Sequence, residues 1–393
     1  MFKAYRFRLY PNEEQKILLE KHFGSCRFVW NHFLALRNEV YTKTGNGMSQ
    51  YEMTALLPQL KNENEWLKEV NSQSLQVSIQ FLDGAFHQFF KERAGYPKFK
   101  KKRQGGSFTV PQRFTINGNN LSIPKFKTPI RMFVHRKIEG DARYLTISKT
   151  PAGEYYVSVL AETMIEKPLA KEVNAGTSIG IDMGIAAFLT TSEGMQIPNP
   201  KNLKKSEKKL ALLQRRLSRK QKGSNNRSKA RIKVAKTHER IANQRKDFHN
   251  KTSDAILKTY DTVIMEALNV TGMMKNRYLA KSIGDAGWSS FRRMLKTKAL
   301  SRGKNVIEIG RFDPSSKMCS KCGYIYNLKL SERTWTCSKC GTAHDREWNA
   351  AKNIKQFGLI KTGVPTDSGK LTPMEISLAG CLIDEGISHV SLK

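Results

Sequence analysis

The hydrophobic pattern changes period several times along the chain, and each change marks a region. Tyr5-Arg-Phe-Arg-Leu-Tyr10 alternates apolar and charged positions, the two-residue period of a half-buried strand, and Pro11-Asn12 breaks it. Beyond the break, Ile17, Leu18, Phe23, Val29, Trp30 and Phe33 recur at helical spacing. Gly45-Asn46-Gly47 is a turn, and Ser49 or Ser72 is placed to cap further helices. The second of these carries Leu75, Ile79, Leu82, Phe86 and Phe90 along one side. Tyr96 to Arg103 is basic with interleaved aromatics, and Pro97 keeps it from starting as a helix.

Residues 106–163 shift to short alternations. Phe108-Thr-Val110, Leu121-Ser-Ile123, Ile130 to Val134, Tyr144 to Ser148 and Tyr155 to Leu160 are separated by turns such as Asn117–Asn120 and Pro151–Gly153. That pattern predicts a small antiparallel barrel or sandwich. Lys167 to Gly176 is a connector. From 177 the organisation is α/β: Ser178-Ile-Gly-Ile-Asp182 is a buried strand, Ala187–Thr191 its neighbour, and Glu193-Gly194 turns into a third. Thr262–Glu266 and Asn305–Ile309 are further strands, with a helix around 288–302 between them and a last core helix from His344 to Phe357. The tail from 359 is rich in Gly, Pro, Ser and Thr and reads as flexible.

Charge sharpens this picture. The 393 residues hold 68 Lys and Arg against 34 Asp and Glu, a net charge of +34 and a pI near 10.0. No small-molecule enzyme needs that balance, which repels itself unless a polyanion offsets it; nucleic acid is the usual one. Residues 201–251 carry 19 Lys and Arg against three acidic residues. There Leu203, Leu210 and Leu217, then Val234, Ile241 and Phe248, recur every seven residues on either side of Gly223-Ser-Asn-Asn226. Two antiparallel helices with apolar seams and basic outer faces follow. The first ten residues carry too many charges for a signal peptide, and no apolar run is long enough to span a membrane. A cytoplasmic, nucleoid-associated protein is expected.

Four of the six cysteines form two knuckles, Cys319-Ser-Lys-Cys322-Gly and Cys337-Ser-Lys-Cys340-Gly, with fourteen residues between them. In each the glycine allows the turn and two thiolates point inward, so the pair completes a tetrahedron that suits structural Zn2+. Cys26 and Cys381 stand alone as small apolar residues. Three carboxylates have a second kind of placement. Asp182 and Glu266 end apolar strands, and Asp345 begins a helix after the second knuckle. Brought together, they would hold two divalent ions about 4 Å apart for phosphodiester hydrolysis. Taken singly, Asp345 is an ordinary N-cap and Glu266 an ordinary ion-pair partner, and spacing alone does not show convergence.

Ile179-Gly-Ile-Asp182-Met-Gly184, Ile264-Met-Glu266, the paired knuckles and Thr342-Ala-His-Asp345-Arg-x-x-Asn349-Ala-Ala resemble the TnpB family. These are transposon-encoded, RNA-guided DNA endonucleases similar to the ancestors of type V CRISPR effectors. Phe7–Pro11, Arg27–His32, Tyr96–Lys100, Ser282–Trp288 and Arg333–Cys337 match as well, so the resemblance covers most of residues 1–357. It implies a RuvC/RNase H-like α/β nuclease core with an inserted zinc ribbon, plus an N-terminal wedge β-barrel carrying a helical recognition part. The corresponding ranges are 1–166 for the wedge lobe (helical part about 12–95), 167–318 for the core with its basic helical pair (201–260), 319–340 for the ribbon, 341–358 for the last core helix and 359–393 for the tail.

The resemblance further implies that Asp182, Glu266 and Asp345 bind two catalytic Mg2+ ions, with Mn2+ as a substitute, and that Cys319, Cys322, Cys337 and Cys340 bind Zn2+. It implies a protein monomer in a ribonucleoprotein, with a guide RNA from the transposon end and a double-stranded DNA target that carries a short flanking motif. By similarity Gln76 sits at the flanking-motif contact. Lys98, Lys100, Lys101, Lys102, Arg215, Arg216, Arg219 and Arg333 are the other candidate nucleic-acid contacts. Arg333 has an alternative, a carboxylate in the ribbon, and Phe99 is either an RNA-stacking ring or a packed one. His344 and Asn349 have supporting roles beside Asp345, and Trp288 belongs to the core. Two other functions remain open at this level: a non-catalytic zinc-containing DNA-binding transposon accessory protein, and an unguided RuvC-type nuclease.

Overall fold

A computed structural model of the chain describes residues 1–102, 105–329 and 332–365. Contacts divide it into two units: Met1–Glu166 with Arg219–Lys236, and Lys167–Ser218 with the chain from Thr237. The tip of the basic helical pair thus groups with the first unit, whereas the sequence reading put the whole pair in the core.

In the first unit, strand β1 (Phe2–Tyr10) buries Tyr5, Phe7 and Leu9, the apolar half of its alternation. Helix α1 (Glu13–Thr44) starts at a capping box: the Asn12 side chain accepts from Gln15 N, and the Gln15 side chain accepts from Asn12 N. It ends at Gly45, whose φ of 72° is the left-handed conformation that favours glycine. Helices α2 (Gln50–Ala55), α3 (Leu57–Glu63) and α4 (Ser72–Phe90) follow. Ser49 caps α2, but Asn71, not Ser72, caps α4 by accepting from Gln73 N.

Strands β2 (Gly106–Val110), β3 (Thr115–Asn117), β4 (Asn120–Ser122), β5 (Ile130–Phe133), β6 (Asp141–Lys149) and β7 (Tyr155–Glu162) join β1 in one antiparallel sheet, ordered β2-β6-β7-β1-β5-β4-β3. Among the described residues β2 and β3 are its ends, so this is an open half-barrel and not a closed barrel. One core joins the sheet residues Phe7, Phe108, Ile147 and Val157 to Leu19, Phe23, Leu75 and Ile79 of the helices.

The second unit is built on a mixed sheet. Strands β8 (Ser178–Asp182), β9 (Ala187–Thr191) and β10 (Gln196–Pro198) pair antiparallel, helices α5 (Asn202–Ser218) and α6 (Asn225–Thr259) intervene, and β11 (Thr262–Glu266) pairs parallel with β8. After short helices α7 (Val270–Met273) and α8 (Ala280–Ala286) and the longer α9 (Trp288–Ser301), β12 (Asn305–Ile309) adds in parallel, giving the order β10-β9-β8-β11-β12. A small hairpin, β13 (Thr334–Thr336) and β14 (Ala343–Asp345), precedes α10 (Arg346–Lys361).

Apolar residues of β8 and β11 alternate between two cores. Ile179, Ile181, Val263 and Met265 pack with Ile256 and Leu257 of α6 and with Trp288, Phe291 and Leu295 of α9. Ile264 faces the other way, onto Ile354 and Phe357 of α10. Of the six heptad residues only Leu210 and Ile241 are buried; Leu203, Leu217, Val234 and Phe248 are half-buried. Helix α10 runs to Lys361, past the expected end at 358, because Leu359 is still buried against this core. Cys381 and the tail from 366 lie outside the described residues.

Candidate active site and metal centre

Asp182 and Glu266 terminate adjacent parallel strands, in a register that pairs Met265 with Ile181. One step further along that register Glu266 stands beside Asp182, with neighbouring strands about 4.8 Å apart. Because side chains alternate, Asp182 shares a face with Gly180, and Glu266 with Ile264. Helix α10 covers that face closely. A Cβ on Gly180 would fall 2.2 Å from the Ala351 carbonyl oxygen, and one on Gly358 would fall 2.3 Å from Ile264 Cγ2. Asp345 caps the same helix, its Oδ1 accepting from Trp348 N at 2.9 Å. The three carboxylates predicted from the sequence thus belong to three elements that pack on one another.

The electrostatics are those of crowded acids. Burial, then the Glu266 and Glu347 carboxylates, push Asp182 up to about 7, against the opposing Arg346 guanidinium. Burial raises Glu266 as well; the Ser315 hydroxyl, which donates to its Oε1, works against this, and Asp313 adds repulsion. Glu347 is a fourth carboxylate that sequence reasoning missed. It accepts from Arg333 Nη1 at 3.2 Å and from Thr190 Oγ1 at 3.4 Å. Arg333 thus pairs with a carboxylate of α10 and not of the ribbon, and its side chain stays 64% exposed.

The cysteines are gathered more tightly. Cys319 Sγ lies 3.7 Å from Cys340 Sγ, Cys322 Sγ lies 3.6 Å from Cys337 Sγ, and all four sulfurs are within 4.8 Å of one another. A tetrahedron with Zn–S bonds of about 2.3 Å has edges of about 3.8 Å, so the four sulfurs can hold a metal ion such as zinc. Two matching turns make this cluster. Gly323 N donates to Cys319 O and Gly341 N to Cys337 O, with φ of 73° and 68° at the two glycines. Trp335 is buried between Tyr326 and His344, and His344 Nε2 is 3.0 Å from Cys319 Sγ. Among the described residues this is the one group of three or more such donors that meets within 4.8 Å; Asp182, Glu266 and Asp345 together do not come that close.

Two asparagines connect the centres. Asn349 Oδ1 accepts from Ser320 N and its Nδ2 donates to Met318 O, at 2.9 and 2.7 Å. Asn353 Nδ2 donates to Ser315 O and Met318 O, at 2.7 and 2.6 Å. Both are buried on the face of α10 that also carries Ile354 and Phe357. Two amides one helical turn apart on an apolar face were a readable signal, and Asn353 was overlooked.

The nucleic-acid candidates are scattered. Gln76 is exposed on α4, and Arg215, Arg216 and Arg219 are exposed at and just beyond the end of α5. Lys98 and Lys102 are exposed, as is the Phe99 ring at 51%. Lys101 is exposed but not unpartnered. Lys100 departs from the expectation of a free cation. Its ammonium sits 3.6 Å over the Trp30 ring, and Asn31 brackets its backbone through Lys100 N and O. Burial lowers its pKa.

Known proteins align with this arrangement over most of its length. A "Putative RNA-guided DNA endonuclease" of Streptomyces pristinaespiralis is 37% identical over 91% of this chain and 89% of its own. "Putative RNA-guided DNA endonuclease InsQ" of Escherichia coli K12 is 33% identical over 94% of this chain and 96% of its own. The chain belongs to the TnpB family. Its residues 157–277 match the family described as "Probable transposase", and 288–354 match "Cas12f1-like, TNB domain". Residues 1–46 match a "Helix-turn-helix domain", yet in this TnpB protein that span is β1 followed by one continuous helix. A solved complex of Cas12f1 with single-guide RNA and target DNA is 15% identical, with a TM-score of 0.48, over 90% of this chain and 98% of that one. Among the described residues of this TnpB protein no helix is long and apolar enough to cross a membrane.

Proposed function

We propose that the chain is an RNA-guided DNA endonuclease whose second unit is a RuvC-like core, and that Asp182, Glu266 and Asp345 form its catalytic centre. One observation carries this reading: two carboxylates end adjacent parallel strands on the face closed by the helix that a third carboxylate caps. The raised Asp182 and Glu266 fit a cation site, because buried like charges are relieved by a divalent ion. Two Mg2+ ions, when bound, supply an activated water and stabilise the leaving oxygen. The protein's part is to hold them and to keep the carboxylates ionised. Ser315 orients Glu266, and the cap hydrogen bond to Trp348 N fixes Asp345. In the overall reaction a water oxygen bonds to phosphorus, one P–O ester bond breaks and the leaving oxygen takes up a proton.

The four-cysteine cluster holds structural Zn2+ in this reading. The basic surface, including Lys98, Lys102, Arg215, Arg216 and Arg219, binds guide RNA and DNA, and Gln76 contacts the motif flanking the target. Target choice rests on base pairing with an RNA from the transposon end.

The test is to express the full chain with its genomic neighbourhood, sequence the RNA that copurifies, and offer a matched plasmid in Mg2+. Linearised plasmid from wild type and intact plasmid from Asp182→Asn support the proposal. A particle with no discrete RNA overturns the guided reading. A particle that binds the matched DNA and never cuts it supports a non-catalytic regulator instead.

A further inference from the structure

The loop that follows β12 presents a feature the proposed chemistry does not use. Phe312 is 74% exposed, and the Arg311 guanidinium lies 5.5 Å from its ring centroid. An exposed ring on a slack loop would mean little, but this loop is pinned at several points. Gly310 N donates to the Asp313 carboxylate at 2.7 Å, and Ser315 N donates to Asp313 O at 2.7 Å. Ser315 is buried, donates its hydroxyl to Glu266 and has its carbonyl held by Asn353. Arg311 also lines a cavity of about 400 Å³ together with Glu266, Asn269 and Met273. A cation that shares a cavity with one of the proposed metal-binding carboxylates is therefore followed, on a pinned backbone, by an exposed aromatic ring.

We propose that Arg311 and Phe312 form a platform for an unpaired DNA strand entering the catalytic centre, Phe312 stacking on one base and Arg311 pairing with a neighbouring phosphate. The occupant follows from the chemistry present. A flat ring with a guanidinium over one face offers its other face to a base and the cation to a phosphate, and base–aromatic stacking needs the base free of its duplex partner. A basic chain selects the polyanion. This inference rests on the endonuclease reading and adds to it the residues that hold the strand.

The experiment uses the full-length protein with its copurified RNA. In the Asp182→Asn background, a single-stranded DNA oligonucleotide carrying one 5-iodouracil is irradiated and the crosslinked peptide identified. A crosslink on Phe312 that disappears in Phe312→Ala supports the platform; crosslinks confined to other regions overturn it. In the active protein, Phe312→Ala raises KM for single-stranded DNA about tenfold with kcat within about threefold, and Phe312→Trp restores it while Phe312→Leu does not. An unchanged KM overturns the proposal, as does rescue by leucine. Melting temperatures of all variants stay at the wild-type value because the ring is exposed. If wild type cuts nothing, the endonuclease reading fails, and the crosslink still decides the platform.

Discussion

The second unit assembles two groups of charged or ionisable donors in opposite ways. The cysteine cluster draws four sulfurs within 4.8 Å of one another from a single stretch of chain, through two turns of the same design. The carboxylates come from the ends of β8 and β11 and the cap of α10, and together they do not close to that distance. The thiols need not ionise together: burial pushes Cys319 up to about 12, whereas hydrogen bonds with Thr342 lower Cys340 to about 6. The carboxylates are buried as well as crowded: burial first, then repulsion from Glu266 and Glu347, lifts Asp182 to about 7. A site that local turns can build is compact in advance. One that relies on packed helices and strands draws its charges from distant parts of the chain.

Four measurements can break or sharpen that contrast. The largest effect is expected for Asp182→Asn: cleavage of a matched plasmid falls by about a thousandfold or more while RNA retention is unchanged. Residual cleavage within tenfold of wild type would mean that the carboxylate face is not the reaction centre. Next, Cys337→Ser removes one of four sulfurs. Bound zinc, measured by elemental analysis, is lost, and cleavage falls at least tenfold (an order-of-magnitude estimate) before RNA retention changes. Equal loss of both would show that the ribbon does not act through α10.

The third concerns pH. The folded Asp182 pKa lies above its unfolded value near 3.8, so between about pH 4 and 7 the folded state holds a proton that the unfolded chain has released. This group's contribution to the stability of the metal-free protein is therefore fully present below about pH 4 and is lost as pH rises through about 7, a change on the order of 4 kcal/mol. Asp182→Asn flattens the decline in chemical-denaturation curves. Cleavage at limiting Mg2+ runs the other way, rising through about pH 7 as protons stop competing with the cation. The smallest effect belongs to Asn353→Ala, which leaves the Ser315 carbonyl without its side-chain donor while Met318 O keeps Asn349 Nδ2, and costs about 1–2 kcal/mol. Combined with Cys337→Ser it should cost less than the sum of the two, because both act on one connection. Strict additivity in denaturation midpoints would refute that coupling.

Much of the second unit was legible because its strands are short and nearly all apolar. Ser178–Asp182, Thr262–Glu266 and Asn305–Ile309 are strands within the limits read from the sequence, and the spacing of the knuckles foretold the sulfur cluster. What escaped depends on distant partners. Gly180 looks like an incidental strand glycine until the Ala351 carbonyl is seen above it. Glu347 is an ordinary first-turn acid in sequence and becomes significant only beside Asp182. Lys100 reads as one cation in a basic run, yet Trp30, far back in the chain, captures it. In the first unit β3 was missed because three residues with one half-buried apolar side chain, Ile116, carry no period. The barrel expected there is open because its strand order never returns to its start.

That strand order also governs synthesis. Strand β1 emerges first yet lies between β5 and β7 in the middle of its sheet, so it has no pairing partner until the chain has been extended by well over a hundred residues. At translation rates of about 5–20 residues per second, its apolar edge waits roughly 8–30 s on the ribosome. Slow codons between the two halves of the sheet would lengthen that exposure, and a chaperone or the helices α1 to α4 would have to shield it meanwhile. The carboxylate face waits longer still, since its last member arrives with α10. The growing polypeptide thus has all the strands of its first sheet before it has the last of the three carboxylates.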